Sequence, residues 1–237
     1  MSRSVLLMAF MLPALPRILS GAIGCTLSNP AEDLKFLYPE MTTYKEELLE
    51  FPKLKDGAVL YKGLKARLGS DLDPIYETYE TSYTVYSVFK GGAKIGIVHG
   101  VNVPGKGGVI QVFVATDPQT AAIVSFFFQR LESPAARQLR SKDFRTQFTG
   151  LSLADFYKHD YYAASHSGGK GDKLAAVKAP VSDPAGRPDY DAALRGLRKN
   201  LILLDDFVYG KRFEPYFERA QQALHNTSNN NPGKEPL

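Results

Sequence analysis

The chain has few of the residues from which metal centres and disulfide frameworks are built. A single cysteine occurs among its 237 residues, which excludes an internal disulfide, a cysteine-rich zinc site and an iron–sulfur cluster. No Cys-x-x-Cys-His segment is present, so covalent c-type haem is excluded as well. The four histidines show no His-x-His or His-x-x-x-His pairing. We therefore expect no metal site.

The motifs of common enzyme classes are also missing. The sequence contains neither the Gly-x-Gly-x-x-Gly of dinucleotide-binding proteins nor the Gly-x-Ser-x-Gly of serine hydrolases. Gly168-Gly169-Lys170-Gly171 lacks the spacing and the hydroxyl residue of a phosphate loop. The sequence therefore predicts no dehydrogenase, kinase or hydrolase.

An excess of one charge is absent from most of the chain. The formal net charge is +4, but residues 1–24 contain Arg3, Arg17 and no acid, which leaves 27 basic against 25 acidic side chains elsewhere. This near balance, without a long basic stripe, gives no reason to expect a nucleic-acid partner. The 44% of hydrophobic residues is typical of a globular domain.

Residues 1–24 have the pattern of an export signal. Arg3 precedes an apolar run that begins at Val5, and small residues at 20–24 lead directly to Cys25. The position of Cys25 resembles the lipobox of bacterial lipoproteins, which implies a lipid attached at Cys25 and a periplasmic or other extracytoplasmic, membrane-anchored protein. An uncleaved anchor and an ordinary buried helix are the alternatives. No later segment approaches the roughly 18 consecutive apolar residues of a membrane span.

The body of the chain is predicted to be an α+β domain, with an antiparallel meander and flanking helices. Residues 25–56 form a helical lead-in, in which Leu34 and Leu37 share one face, Pro39 marks a break and a second helix runs from Tyr44 to Glu50. Strand-like periodicity extends from about 57 to 129. Its four clearest strands are joined by short turns and lie at 82–89, 94–98, 109–114 and 123–128.

Helical signals return after the predicted sheet. Ser152 is expected to cap a short helix, and Asp189 a longer one that has leucines at helical spacing. Between them, 163–189 is predicted to be loop with at most a short strand at 174–178. A last helix covers 213–225, so the body spans 57–225, and the Asn/Ser/Pro/Gly tail at 226–237 is predicted to be disordered.

One stretch resembles a known family. The strand at 109–114, a turn and a second strand lead to Glu132-Ser133-Pro134 and then to Phe144-Arg145-Thr146-Gln147-Phe148-Thr149-Gly150. Upstream lies Phe36-Leu37-Tyr38-Pro39. This order is similar to the FMN-binding domain family, which includes the C subunit of Na⁺-translocating NADH:quinone reductase and the G subunit of related electron-transport complexes. The resemblance covers about residues 34–157.

The resemblance implies an FMN site at five residues, with Phe144 and Phe148 as an apolar wall, Gln147 as a donor, and Glu132 and Ser133 nearby. Three arginines are candidates for a phosphate contact, namely Arg137, Arg140 and Arg145. The alternatives are that the two phenylalanines, at i and i+4, fill the core and that the arginines form a solvated helix face.

The family's Thr motif for covalent flavin attachment is absent before the helix at 189. Ala135-Ala136-Arg137 also replaces the family's Gly-Leu-Gly. The sequence therefore predicts no covalent attachment and leaves non-covalent FMN as the cofactor.

The resemblance favours an electron-transfer or accessory subunit over a stand-alone enzyme. Its partners would be the membrane, through the lipid anchor, and subunits of a membrane-bound redox complex. The alternative is a cofactor-free structural or partner-binding subunit that retains the fold. A third hypothesis is a non-covalent haem bound through His159 or a tyrosine.

Overall fold

The computed structural model describes residues 25–73, 77–161, 171–180 and 184–229. The predicted export signal at 1–24 lies outside the described residues, as does the tail from 230 onward. No helix in the described part of the chain is both long and apolar enough to cross a membrane.

The centre of the protein is a five-stranded antiparallel sheet in which neighbours in sequence are neighbours in space. The predicted α+β class and meander are confirmed, with one strand more than expected. The strands are β1 (Thr43–Glu50), β2 (Ser82–Lys90), β3 (Ala93–Gly105), β4 (Gly108–Thr116) and β5 (Ile123–Arg130). Each strand pairs with the next one in the chain; short turns join β2 to β5, whereas the connection from β1 to β2 contains a helix. The Gly91-Gly92 turn has positive φ angles at both residues, as the hairpin signal predicts.

The described residues form seven α-helices that flank the sheet. They are α1 (Pro30–Leu37), α2 (Gly57–Leu68), α3 (Ala136–Leu139), α4 (Lys142–Thr146), α5 (Leu153–Phe156), α6 (Arg187–Phe207) and α7 (Glu214–Asn229). Helix α6 packs against β3 and β4, and all four leucines at its predicted helical spacing are buried. Gly196 makes this close approach feasible, because a Cβ there would lie 2.8 Å from Val112. Leu34 and Leu37 of α1 contribute to a second core cluster with Tyr86 of β2.

Two parts of the secondary-structure prediction were wrong. Residues 44–50 form β1 rather than a helix, because β2 supplies a backbone partner for every residue of the segment. Residues 57–68 form α2 rather than a strand, and its Leu64 and Leu68 are buried at helical spacing. Both errors occurred where tertiary pairing or packing decided the local structure.

Two smaller predictions concern the chain just before and at the start of α6. Residues 174–176 form a 3₁₀ turn, which agrees with the prediction of loop with at most a short strand at 174–178. Asp189 lies in the first turn of α6 and is fully buried, where its Oδ1 accepts a hydrogen bond from the Lys106 backbone at 2.6 Å. Asp189 thus fastens α6 to the β3–β4 turn rather than capping the helix. The capping box at Ser152 and Asp155 is confirmed.

Candidate functional site

Residues 131–150, which we call the family-like segment, run along the outer edge of β5. From Leu131 the chain passes through α3 and α4 and returns to the start of β5 at Gly150. Ser141 begins α4, and its hydroxyl accepts a hydrogen bond from the Phe144 backbone at 3.2 Å. The short helices are therefore fixed locally as well as by the strand they follow.

This segment closes the edge of β5. Four of its residues donate hydrogen bonds to β5 carbonyl oxygens: Arg140 to Phe128, Arg145 to Phe126 at 3.4 Å, the Thr149 hydroxyl to Val124 at 3.3 Å, and the Gly150 backbone to Ile123 at 2.8 Å. An unpaired strand edge otherwise presents free backbone acceptors and donors. Two of the three arginines predicted for a phosphate, Arg140 and Arg145, thus contact the protein's own backbone, and desolvation lowers the pKa of Arg140.

The two phenylalanines of the segment fill the core. Phe144 and Phe148 are 1% and 0% exposed, and their ring centroids lie 6.0 and 5.3 Å from that of Phe126 on β5. Phe144 also packs on Tyr190 of α6 at 5.9 Å. The aromatic pair therefore joins the segment to the sheet and to α6.

A groove of about 540 Å³ lies on the outer side of α3 and α4, and we call it the motif groove. Its lining includes Arg137, Gln138, Ser141, Asp143, Phe144, Gln147 and Lys178. The amide of Gln147 crosses it, because its oxygen accepts from the Lys178 backbone N–H at 2.8 Å and its nitrogen donates to the Lys178 carbonyl at 3.4 Å. Gln147 thus holds the 178–180 segment against α4.

Glu132 and Ser133 do not line the motif groove. The Glu132 carboxylate pairs with Arg130 at 2.8 Å, and the Ser133 hydroxyl accepts from the Ala135 backbone at 3.1 Å. The Glu132 carbonyl lies against Gly107, where a Cβ would collide with it. Of the five predicted cofactor residues, the structure brings only Phe144 and Gln147 to the motif groove.

The residues present do not fit a flavin held in the predicted way. An isoalloxazine ring needs an exposed aromatic or apolar wall and free donors for its oxygens. Phe144 and Phe148 offer almost no surface, and Gln147 is occupied by Lys178. What the motif groove does offer is size and charge, with Arg137 and Lys178 on its lining.

Cys25 lies within the folded domain. It is 4% exposed, its Sγ is 3.1 Å from Asn102 Oδ1, and burial raises the pKa of its thiol to about 11. The next residues are fixed to the sheet, since the Leu27 backbone donates to the Tyr86 hydroxyl at 3.0 Å and the Ser28 backbone to Gln129 at 2.8 Å. A lipid on Cys25 would therefore move the sulfur out of this enclosed position, while the contacts of Leu27 and Ser28 would keep the anchor next to the sheet.

His159 is buried near the end of α5. Its Nδ1 lies 2.9 Å from an Asp172 carboxylate oxygen, and both side chains are 1% exposed. Within the described ranges, no group of three or more His, Cys, Asp or Glu side chains is placed to hold a metal ion.

A second concave site was missed by sequence reasoning. A cavity of about 580 Å³, which we call the α5–α7 hollow, lies between the end of α5, α6 and α7. Aromatic and basic side chains dominate its lining, among them Tyr157, Tyr161, Arg198, Tyr216, Phe217 and Arg219. The available signal was the density of aromatic residues at 156–162 and 213–217.

No protein-family model matches the chain, and no curated protein matches it by sequence. Among solved structures, the chain is similar to the crystal structure of Shewanella oneidensis NqrC. The two are 15% identical, with a TM-score of 0.44, over 83% of this chain and 90% of that chain.

Proposed function

We propose that this chain is a partner-binding accessory subunit of a membrane-bound redox complex, built on an FMN-binding-type domain and working without flavin at its family-like segment. We infer the absence of flavin from the side chains that the resemblance assigns to it, because these side chains stabilise the fold instead. Phe144 and Phe148 fill the core, Gln147 holds the Lys178 backbone, and Arg140 and Arg145 close β5. The order of the family-like motifs in the sequence supports a membrane-bound redox complex as the partner.

The other edge of the sheet provides a surface for the partner. Among the described residues β1 pairs only with β2, and Leu48 on this strand is 56% exposed. Glu46 and Glu47 precede Leu48 and are exposed. An open edge with these side chains favours an extended segment that carries basic residues and adds to β1 as a sixth strand.

Export and lipid attachment at Cys25 belong to the same proposal. A lipid at the first residue of the folded domain would hold the sheet close to the membrane surface, where a membrane complex presents its exposed segments. Membrane fractionation of the full chain and of Cys25→Ser tests this. Loss of membrane retention in the variant is expected, and unchanged retention contradicts lipid anchoring.

A non-covalent flavin in the motif groove is the second candidate, because the groove has a ligand-sized volume and Arg137 and Lys178 on its lining. The visible absorption spectrum of protein purified from cells with ample flavin separates the two candidates. The leading proposal predicts that Arg137→Gln, which removes a cation from the motif groove, leaves this spectrum unchanged. Flavin bands that move to the supernatant after acid denaturation and that Arg137→Gln removes would favour the second.

A further inference from the structure

The α5–α7 hollow has the chemistry of a binding site, and no part of the family resemblance refers to it. Its walls carry aromatic rings from two directions, Tyr157 and Tyr161 from the end of α5 and Phe217 from α7. The Tyr157 and Phe217 ring centroids are 5.7 Å apart at 46°. Its volume of about 580 Å³ lies within the range of small-molecule sites.

The tyrosine hydroxyls at this site are used internally. The Tyr157 hydroxyl accepts from Arg67 Nε at 3.1 Å, and the Tyr161 hydroxyl donates to the Phe156 carbonyl at 3.3 Å. Burial raises the pKa of both phenols, so they remain neutral. The tyrosines thus present ring surface rather than acceptor groups to the hollow.

The charges that face the hollow are mostly positive. Lys158 and Arg219 are exposed on its lining, and neither forms an ion pair with a described residue. Arg198 lies deeper, over the Tyr161 ring at 5.3 Å, and its Nη1 is 3.5 Å from Asp71. Asp160 is the acidic residue on the lining. Ring faces together with these cations select a planar aromatic ligand that bears a negative charge.

From this geometry we propose that the α5–α7 hollow binds a planar aromatic anion, with the ring against Tyr157 and Phe217 and the anionic group at Arg219 and Lys158. This site is separate from the motif groove and goes beyond the proposed function. It does not depend on partner binding, which could fail while the hollow still binds its ligand.

Three probes test the ring and the anionic group of the ligand separately. FMN has both a planar ring and a phosphate, riboflavin has the ring without the phosphate, and inorganic phosphate has no ring. Equilibrium dialysis of the full chain against each probe measures binding. We expect FMN to bind at least about fivefold more tightly than riboflavin, and phosphate alone to bind weakly. Equal binding of FMN and riboflavin, or no retention of FMN at about 1 mM, overturns the proposal.

Matched variants locate the bound probe. Phe217→Leu retains apolar bulk but removes the aromatic face, and Arg219→Gln removes an exposed cation; each should weaken FMN binding by about three- to tenfold. Arg137→Gln removes a cation from the motif groove and should leave FMN binding unchanged. A larger loss in Arg137→Gln than in Arg219→Gln would place the probe in the motif groove and overturn the proposal. Circular dichroism of each variant confirms that the fold is intact.

Discussion

The two edges of the sheet differ in whether the chain itself covers their backbone groups. At β5 a whole segment follows the edge, and Arg140, Arg145 and Gly150 donate to its carbonyl oxygens. At β1 no described residue beyond β2 pairs with the strand, and the exposed side chains are largely charged. Charged side chains are a common protection of free edges. The β5 edge is thus covered by the chain itself. The β1 edge is protected only by its charged side chains, which is why we propose it as the surface for a partner.

The comparison also changes the meaning of the family-like segment. The same Phe-x-x-Gln-Phe-x-Gly pattern that implies a flavin site serves here to close an edge and to fill the core beneath it. On the proposed function, the pattern is retained for its structural contribution and not for a ligand. If that view is correct, substitutions in the segment should affect stability first, and substitutions on β1 should affect binding.

The largest effect is expected from Phe148→Ala. Phe148 is fully buried against Phe126 and Phe144, so its truncation should lower the free energy of unfolding by about 3–5 kcal/mol. Urea denaturation measures this, with Val59→Ala, at a position 66% exposed, as the control with little effect. A loss below about 1 kcal/mol would contradict the core role assigned to Phe148.

Acid should lower the stability of the protein through a histidine on the middle strand of the sheet. His99 on β3 is fully buried, and burial lowers its pKa to about 4, whereas an unfolded histidine titrates near pH 6.5. Its neutral form therefore stabilises the fold above about pH 6.5, and that stability is lost as the pH falls towards 4, by at most about 1.4 kcal/mol per pH unit.

Between about pH 7 and pH 5, urea denaturation should show that His99 lowers the free energy of unfolding by about 2 kcal/mol, measured as the difference in pH dependence between the unaltered chain and His99→Gln. The raised pKa of Asp206, about 6, acts in the opposite direction in both proteins and cancels in this difference. Hydrogen exchange at both pH values then distinguishes the edges, because β1 amides should exchange before those of β5. An equal pH dependence in His99→Gln would assign the acid sensitivity to other groups.

Gly150→Ala tests the last contact that closes β5. Gly150 has a φ of +84°, which a residue with a Cβ adopts at a cost of about 1–2 kcal/mol. Gly63→Ala is the matched control, because Gly63 lies within α2 and a Cβ there would come no closer than 3.6 Å to Lys211 Nζ. This control variant should gain about 0.5–1 kcal/mol. Thermal unfolding that moves in the same direction for both variants would contradict the assigned role of Gly150.

The sequence predicted those elements whose signals are local. Pro39 marked the end of α1, and alternation together with glycine turns and the Asp117-Pro118 turn marked β2 to β5. β1 was missed because an edge strand with exposed charges lacks a buried alternating face, and Thr43 with Glu46 resembles a helix cap. The role of Phe144 and Phe148 could not be predicted, because spacing of i and i+4 fits a core and a ligand wall equally well. Their contacts with Phe126 and Tyr190 join residues distant in sequence.

The smallest effect on stability, and the most informative one on binding, is expected from Leu48→Lys. Leu48 is 56% exposed on β1, so the free energy of unfolding should change by no more than about 0.5 kcal/mol. An added lysine on an open edge opposes strand addition and repels a basic partner segment. Val59→Lys on α2 introduces the same charge at another exposed position. In native gels of solubilised membranes, the chain should lose its association with redox-complex subunits in Leu48→Lys and keep it in Val59→Lys. Retention in both would show that the partner does not bind at β1, and the comparison between the edges would then concern stability alone.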